Sequence, residues 1–321
     1  MNNTKYTFLL PAYKARFFEE ALLSIKNQTY TDFKVIVSDD CSPEELKPIY
    51  DKVCGDDPRF TFRRNEENMG SKSLVSHWNL LVDICDTEWL IMAGDDDVYD
   101  PTFLDEMDRL SEKYPKVDLL HARARVIDAD GEVIKKDALY YEYVCQLDYL
   151  EQLNFYKHVE CMGNNILRTI ALKDKGGFVN LPLAWCSDMA TCNMMSINGV
   201  ANSGEILFGF RMSGLNISSQ SIDNKKITRQ KFSACCLYDD FMIDLLKRIK
   251  YESTIENKIT YNRVVKQHRQ RTAGFLMWQS VSLSFVDYLC YIVKYRKKGY
   301  IDSLFACLKK WIVAQIKSIN L

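Results

Sequence analysis

The run Met92-Ala93-Gly94-Asp95-Asp96-Asp97-Val98-Tyr99 places three consecutive carboxylates directly after an apolar stretch, Trp89 to Met92. If that stretch is a buried strand, like charges are forced together at its end, and such a cluster is costly without a cation. Hard oxygen ligands suit Mg²⁺ or Mn²⁺, held by one or two carboxylates while diphosphate oxygens and waters complete the octahedron. A purely structural account makes the run a solvated acidic turn before the helix that follows Pro101. That accounts for Asp100 and for Asp97, but not for three acids at the end of a buried strand.

A second acidic end, Val37-Ser38-Asp39-Asp40-Cys41-Ser42-Pro43, follows another β-rich run. One of its carboxylates can accept from a base N–H; the bland alternative is an N-cap, for which Ser42 or Asp40 would serve. Leu10-Pro11-Ala12-Tyr13 ends the first apolar run, and Tyr13 either stacks on a base or packs in the core. The four histidines offer no rival site: His77 stands beside Trp78, His121 ends an apolar run, and His158 and His268 lack partners at ligand spacing. No GxSxG elbow, Walker-type loop or GxGxxG fingerprint occurs.

The elements that must position these residues alternate. Short β-rich runs (Tyr6 to Leu10, Lys34 to Ser38, Phe60 to Arg63, Trp89 to Met92) are separated by helical patterns (Phe17 to Gln28, Glu44 to Val53, Ser73 to Cys85). That rhythm predicts βαβ units and a parallel sheet covered by helix faces such as Phe18, Leu22, Ile25 and Leu74, Trp78, Leu81, Cys85. The acidic ends then emerge together at the C-terminal edge of the sheet, where open α/β sheets bind ligands. Further on, the pattern predicts a helix over Thr102 to Lys113, a hairpin around Asp130-Gly131, a helix over Ser187 to Ser196 and a strand over Gly204 to Met212. Beyond Ser221 long helices follow, including Lys231 to Arg248 and Lys258 to Trp278, so a boundary is expected near residue 220, between a catalytic part (1–220) and a helical part (221–321).

The chain of 321 residues carries 42 basic and 43 acidic side chains, so no general affinity for nucleic acid is expected. Its eleven cysteines are an odd number scattered through apolar segments without zinc spacing, which fits free thiols in a reducing compartment. No stretch at the start has the order of a signal peptide, and the expected location is the cytoplasm. The last segment, from Phe285, is apolar and basic, with Lys294, Arg296, Lys297, Lys298, Lys309, Lys310 and Lys317. It is either a helix packed on the domain or a basic amphipathic helix lying on an anionic membrane.

Taken together, Pro11-Ala12-Tyr13, Ser24 to Tyr30, Asp39-Asp40-Cys41-Ser42, Asn68-Met69-Gly70 with Asn79, and Gly94-Asp95-Asp96-Asp97 before Pro101 resemble the family 2 glycosyltransferases of GT-A fold type, in particular those of bacterial cell-surface polysaccharide synthesis. The likeness is specific over residues 5 to about 105 and looser to about 220. It implies a Rossmann-like, mostly parallel sheet flanked by helices, with a C-terminal helical extension. It also implies inverting, metal-dependent transfer of a sugar from a nucleotide-diphosphate donor, UDP-linked by preference. The acceptor would be a saccharide or lipid-linked saccharide hydroxyl.

By position, the resemblance sets Pro11, Ala12 and Tyr13 against the nucleoside, Asp40 on the base and Lys72 on the donor. Asp95 falls on ribose or sugar, and Asp96 on Mn²⁺ or Mg²⁺. Gly94 stands where many members carry the first aspartate. Trp185-Cys186-Ser187-Asp188 matches the segment bearing the base, so Asp188 would take the acceptor proton and Trp185 would line the sugar site. Phe210-Arg211 to Ser218 matches a third motif without its histidine, leaving Arg211 either to contact the diphosphate or to pair with an acidic neighbour. Two other classes stay open: a nucleotidyltransferase with a similar metal site, and an inactive scaffold that binds nucleotide sugar.

Overall fold

The computed structural model describes residues 4–154, 159, 161–214 and 225–280, together with Cys290, Ile312 and Val313. In chain order the first half runs β1 (Tyr6–Ala12), α1 (Phe18–Lys26), β2 (Phe33–Asp39), α2 (Leu46–Cys54), β3 (Phe60–Arg64), α3 (Gly70–Ile84) and β4 (Trp89–Met92). It continues through β5 (Val98–Tyr99), α4 (Phe103–Lys113), β6 (Leu119–Ile127), β7 (Val133–Lys136), β8 (Tyr143–Val144), α5 (Gln146–Asn154), β9 (Asn165–Arg168) and α6 (Thr169–Asp174). The remaining elements are α7 (Ser187–Met195), β10 (Val200–Arg211), α8 (Lys225–Arg248) and α9 (Ile255–Ser280).

The strands form one sheet in the order β3-β2-β1-β4-β9-β6-β10-β5, with β7 beside β6 and β8 beside β10. Strands β3, β2, β1 and β4 are mutually parallel, as the βαβ rhythm requires, because each crossover helix returns the chain to the same end. Past β4 the direction alternates: β9 enters antiparallel between β4 and β6, β10 lies parallel to β6, and β5 antiparallel to β10. Strand β1 lies between β2 and β4. Its end pairs Ala12 with Asp39 on one side, while Leu9 pairs with Met92 on the other, so the chains following β1, β2 and β4 leave the same edge.

Strand β4 is buried along its whole length, as its unbroken apolar run predicts. Phe8, Tyr99, Phe103 and Phe208 pack edge-on beneath the acidic loop, with Tyr99 Oη donating to Gly163 O at 3.0 Å. Helix α1 buries Phe18, Leu22 and Ile25, the face expected of it. Of the face expected of α3, Leu81 and the capping Cys85 are buried and Leu74 and Trp78 half-buried, while Val75, His77 and Val82 are buried beside them. The cause is local, because Ser73 breaks the helix (φ −160, ψ 108) and His77 is drawn inward by Ser38 and Asn65, while Trp78 packs on Phe178. The hairpin at Asp130-Gly131 is present as β6–β7, with Gly131 at φ 87.

The chain divides into two compact units, Met1–Asn180 with Ser187–Asn216, and Leu181–Cys186 with Ile217–Leu321. Residue 220, where a boundary was expected, lies outside the described residues, as do Ser218 and most of the basic segment after Phe285. Residues 225–280 of the second unit are largely helical. Helices α8 and α9 bury Phe232, Tyr238, Met242 and Val264, and Asp239 meets His268 at 2.8 Å. The cysteines described are all free thiols, and no helix among the described residues is long and apolar enough to cross a membrane.

Candidate active site

The three strand ends converge at Asp95. Its Oδ2 accepts from the backbone N–H groups of Tyr13 and Lys14, both at 2.8 Å, so the loop after β4 is bolted to the loop after β1. The chain after β2 joins in: Asp40 N–H donates to Ala12 O, and Ser42 Oγ donates to Tyr13 O at 2.7 Å. The backbone of Tyr13 is thus fixed from two sides while the residue stays 40% exposed, open to a planar ligand. Pro11 and Ala12 lie in β1 itself, with Ala12 buried.

Asp95, Asp96 and Asp97 are 7%, 7% and 5% exposed, and they are not equivalent. Asp96 Oδ2 lies 3.1 Å from the Lys14 ammonium, and Asp95 Oδ1 lies 3.7 Å from it. Asp97 turns inward, where Oδ1 accepts from Arg211 N–H at 2.9 Å. Burial pushes the carboxyls of Asp95 and Asp97 above the usual carboxylate range. The charge of Asp96 adds to both shifts, and Lys14 and the N–H donors work against them. Burial lowers the Lys14 ammonium, but the summed attraction of Asp95, Asp96 and Asp97 outweighs it and the net shift is upward.

Gly94 now has a physical reason. A Cβ at this residue would lie 2.7 Å from Asp97 Oδ2, so the inward carboxylate of Asp97 occupies the room a side chain at 94 would need.

Among the described residues no group of three or more His, Cys, Asp or Glu side chains is arranged to hold a metal ion. The donor set nevertheless fits Mg²⁺ or Mn²⁺. Two carboxylates already face a single cationic nitrogen, and such ions bind through one or two carboxylates plus substrate phosphates rather than in an all-protein cage.

Asp40 does not cap α2. Its Oδ1 accepts from Met69 N–H and Asn65 Nδ2 (2.9 Å each) and its Oδ2 from Gly70 N–H (2.7 Å), so it anchors the start of α3. His77 lies beneath, with Nε2 3.0 Å from Ser38 Oγ and Nδ1 3.6 Å from Asp40 Oδ1. Burial lowers the His77 pKa, which keeps the ring neutral near pH 7. Asp39 is a strut, bonded to Ser42 N–H and to the guanidinium of Arg64. Lys72 stands exposed in the first turn of α3, its ammonium on Glu67 at 2.5 Å.

From α3 the bonding continues toward Asp188. Asn79 clamps Phe178 through both backbone groups (2.7 and 3.2 Å), and Val179 N–H donates to Thr191 Oγ1 on α7. Asp188, half-buried in the first turn of α7, accepts from Met189 N–H at 2.8 Å. Immediately before it, Leu183, Ala184 and Cys186 hold φ of 58, 54 and 66, and Cys41, next to Asp40, holds φ 53. Left-handed backbone at non-glycine residues costs about 1–3 kcal/mol each and collects at functional loops. Trp185 belongs to the helical unit, with the Lys231 ammonium 4.4 Å over its ring.

Arg211 sits at the end of β10 and is 1% exposed. Its Nε donates to Asp96 O (2.8 Å), NH1 to Asp128 O (3.2 Å) and NH2 to Glu20 Oε2 (2.6 Å), so it pairs with an acidic neighbour and props the Asp96 backbone. Lys14, Glu20 and Asn65 are the residues sequence reasoning passed over. For Lys14 the signal was present, a cation following Tyr13 at the edge where the acids emerge; for Glu20 and Asn65 no local signal exists.

The profile described as Glycosyl transferase family 2 matches residues 7–175. No curated protein sequence matches the chain. Among solved structures, TarS 1-349 from S. aureus, in complex with UDP-GlcNAc, is similar with a TM-score of 0.60 at 15% identity, covering 96% of this chain and 91% of that one. The mannosyltransferase PcManGT from Pyrobaculum calidifontis, in complex with GDP-Man and Mn²⁺, gives 0.57 at 12% identity, covering 98% and 87%. At those identities the likeness carries the fold, a GT-A-like mixed α/β sheet with a helical C-terminal part. The profile spans more than half of the chain, including each strand end that meets at Asp95, and this protein belongs to glycosyl transferase family 2 as a glycosyltransferase enzyme.

Proposed function

We propose that the chain transfers a sugar from a UDP-sugar to a saccharide hydroxyl with inversion at the anomeric carbon. The observation that carries this is the convergence of Tyr13, Asp40, Asp95 and Asp96 from three adjacent strand ends, locked by the two N–H bonds to Asp95 Oδ2. The exposure of Tyr13 supports a stacking role for the base, and Asp40, three of whose four acceptor positions are taken by Asn65, Met69 and Gly70, would use the fourth for the N–H of that base. The similar TarS structure carries UDP-GlcNAc and the similar PcManGT structure GDP-Man, which supports a nucleoside-diphosphate sugar as the donor class, and uridine is the reading of the Asp40 position.

Asp188 would accept the proton of the acceptor hydroxyl as its oxygen bonds to the anomeric carbon. The bond from that carbon to the diphosphate oxygen breaks from the opposite face, its electron pair leaving with UDP. Asp96, with Asp95 beside it, would hold Mn²⁺ or Mg²⁺, which when bound supplies charge neutralisation for the departing diphosphate. Arg211 would keep Asp96 in position through its carbonyl, and Trp185 would line the acceptor side. Lys72 can reach the donor by leaving Glu67, an exposed pair of little energetic worth. The catalytic part is proposed to span 1–220. A lipid-linked acceptor, met at an anionic membrane through the basic segment after Phe285, is the proposed setting.

The test is a donor panel with the full chain and Mn²⁺, reading nucleoside diphosphate release and the anomeric configuration of the product. Asp96→Asn and Asp188→Asn should each lower turnover by at least about 100-fold. Near-wild-type turnover in either variant removes that residue's role, and release of pyrophosphate from a nucleoside triphosphate would instead favour nucleotidyl transfer.

A further inference from the structure

Lys14 reads both carboxylates of the donor site with one side chain. Its backbone N–H is fixed on Asp95 Oδ2 at 2.8 Å, and its ammonium lies 3.1 Å from Asp96 Oδ2 and 3.7 Å from Asp95 Oδ1. The backbone anchor fixes the base of the side chain beside both carboxylates, and the side chain is 29% exposed, so swinging is open to it. A divalent ion on Asp96 would sit about 2.1 Å from a carboxylate oxygen, against the ammonium, and the two positive charges exclude each other. A diphosphate removes the conflict by offering anionic oxygens to both.

We propose that Lys14 is a built-in counter-cation, which satisfies Asp95 and Asp96 in the donor-free protein and excludes a free divalent ion, so that metal and nucleotide enter as a pair. The inference rests on the reading of Asp96 as the metal-holding carboxylate. It separates from a merely structural ion pair by the sign of one effect. Loss of a structural lysine would loosen the site and weaken metal binding, whereas loss of a competing cation removes the positive charge that opposes a metal at Asp95 and Asp96, so the metal binds more tightly. Linkage makes the effect reciprocal: whatever UDP does for Mn²⁺ affinity, Mn²⁺ does for UDP.

The experiment is Mn²⁺ titration of the full chain, followed by the electron paramagnetic resonance of the free ion, with and without saturating UDP. Wild type, Lys14→Met, Lys14→Gln and Lys14→Arg are compared. Without nucleotide, Lys14→Met and Lys14→Gln should bind Mn²⁺ at least about tenfold more tightly than wild type, and the gain that UDP brings should shrink by the same factor. Lys14→Arg, which keeps the charge, should follow wild type. Equal or weaker Mn²⁺ binding in the neutral variants overturns the proposal. So does a wild type whose Mn²⁺ affinity is the same with and without UDP, a result that needs no variant to fold. A wild type that binds Mn²⁺ under neither condition instead brings down the metal reading of Asp96, and this inference with it.

Discussion

Gly94→Ala adds one methyl group at the point where the acidic loop is tightest. Its Cβ would stand 2.7 Å from Asp97 Oδ2, 3.3 Å from Asp97 Cγ and 3.4 Å from Asp96 Oδ1. Ordinary contact for such atoms is about 3.5 Å, so the Asp97 carboxylate must retreat by roughly 0.8 Å. It has little room, being 5% exposed with Oδ1 on Arg211 N–H. Overpacking of this kind costs about 1–3 kcal/mol, or about 2–4 °C of melting temperature per kcal/mol in a chain of this size. The larger effect falls on turnover. Displacement of Asp97 strains the Arg211 contact that also props the Asp96 carbonyl, and misplacement near 1 Å costs up to about 100-fold, so kcat/KM should fall by roughly 10–100-fold. Thermal unfolding and nucleoside diphosphate release, measured on the same preparations, read both effects. Asp97→Ser shortens the obstructing side chain, so Gly94→Ala should cost less in that background, with a coupling of about 1 kcal/mol or more. A Gly94→Ala protein that melts and turns over as wild type would refute the packing account of Gly94.

Arg211→Lys keeps a cation toward Glu20 but abandons the carbonyls of Asp96 and Asp128, so stability should fall by about 2 kcal/mol or more in urea unfolding; an unchanged midpoint would show the guanidinium to be dispensable. Asn79→Ala leaves the N–H and C=O of Phe178 without their partner and should cost about 1–3 kcal/mol by the same measurement. Burial pushes the carboxyl of Asp137 up to about 6, against the opposing N–H bonds from Ala124 and Val159. The unfolded carboxyl titrates near about 3.9, so between about pH 4 and 6 the folded chain binds more protons, and stability falls as pH rises through that window. Relative to Asp137→Asn, wild type should therefore lose up to about 3 kcal/mol between pH 4 and 7, and a flat difference across that range would refute the assignment.

What was legible in the sequence is what local pattern controls. The parallel order of β1 to β4, the buried run of β4 and the delivery of acids to one edge all follow from periodicity and from crossover geometry. The antiparallel entry of β9 between β4 and β6 has no such signal, because strand order beyond consecutive units is decided by long-range packing, and Asn165-Ile166-Leu167-Arg168 reads only as a short apolar run. The alternative of a helix cap at Asp40 fails on long-range contacts too. Asp40 stands three residues from a proline that suggests a helix start, yet its carboxylate is taken by Met69 and Gly70, 29 and 30 residues away. Arg211 reaches Glu20 across 191 residues, a separation at which sequence spacing carries no information. The left-handed turn at Leu183, Ala184 and Cys186 contains no glycine to announce it.

The five aspartates at the sheet edge show why one letter cannot assign a role. Asp39 is held by an arginine and a backbone N–H, Asp40 by two backbone N–H groups and Asn65, and Asp97 by the backbone of Arg211. Apart from the bond from Ser42 N–H to Asp39, three residues away, each of those bonds joins separate segments of chain, so breaking one would loosen the loop it secures. Asp95 is divided: Oδ2 is a strut for β1, while Oδ1 faces Lys14. Asp96 differs in that its carboxylate meets a side-chain ammonium on a flexible stem. That ammonium can swing away while the Lys14 backbone N–H stays on Asp95. On the proposed reading, a partner that can leave on a flexible stem, rather than acidity or burial, is what suits Asp96 to a cation, and it would make Lys14 the residue that a cation must first displace.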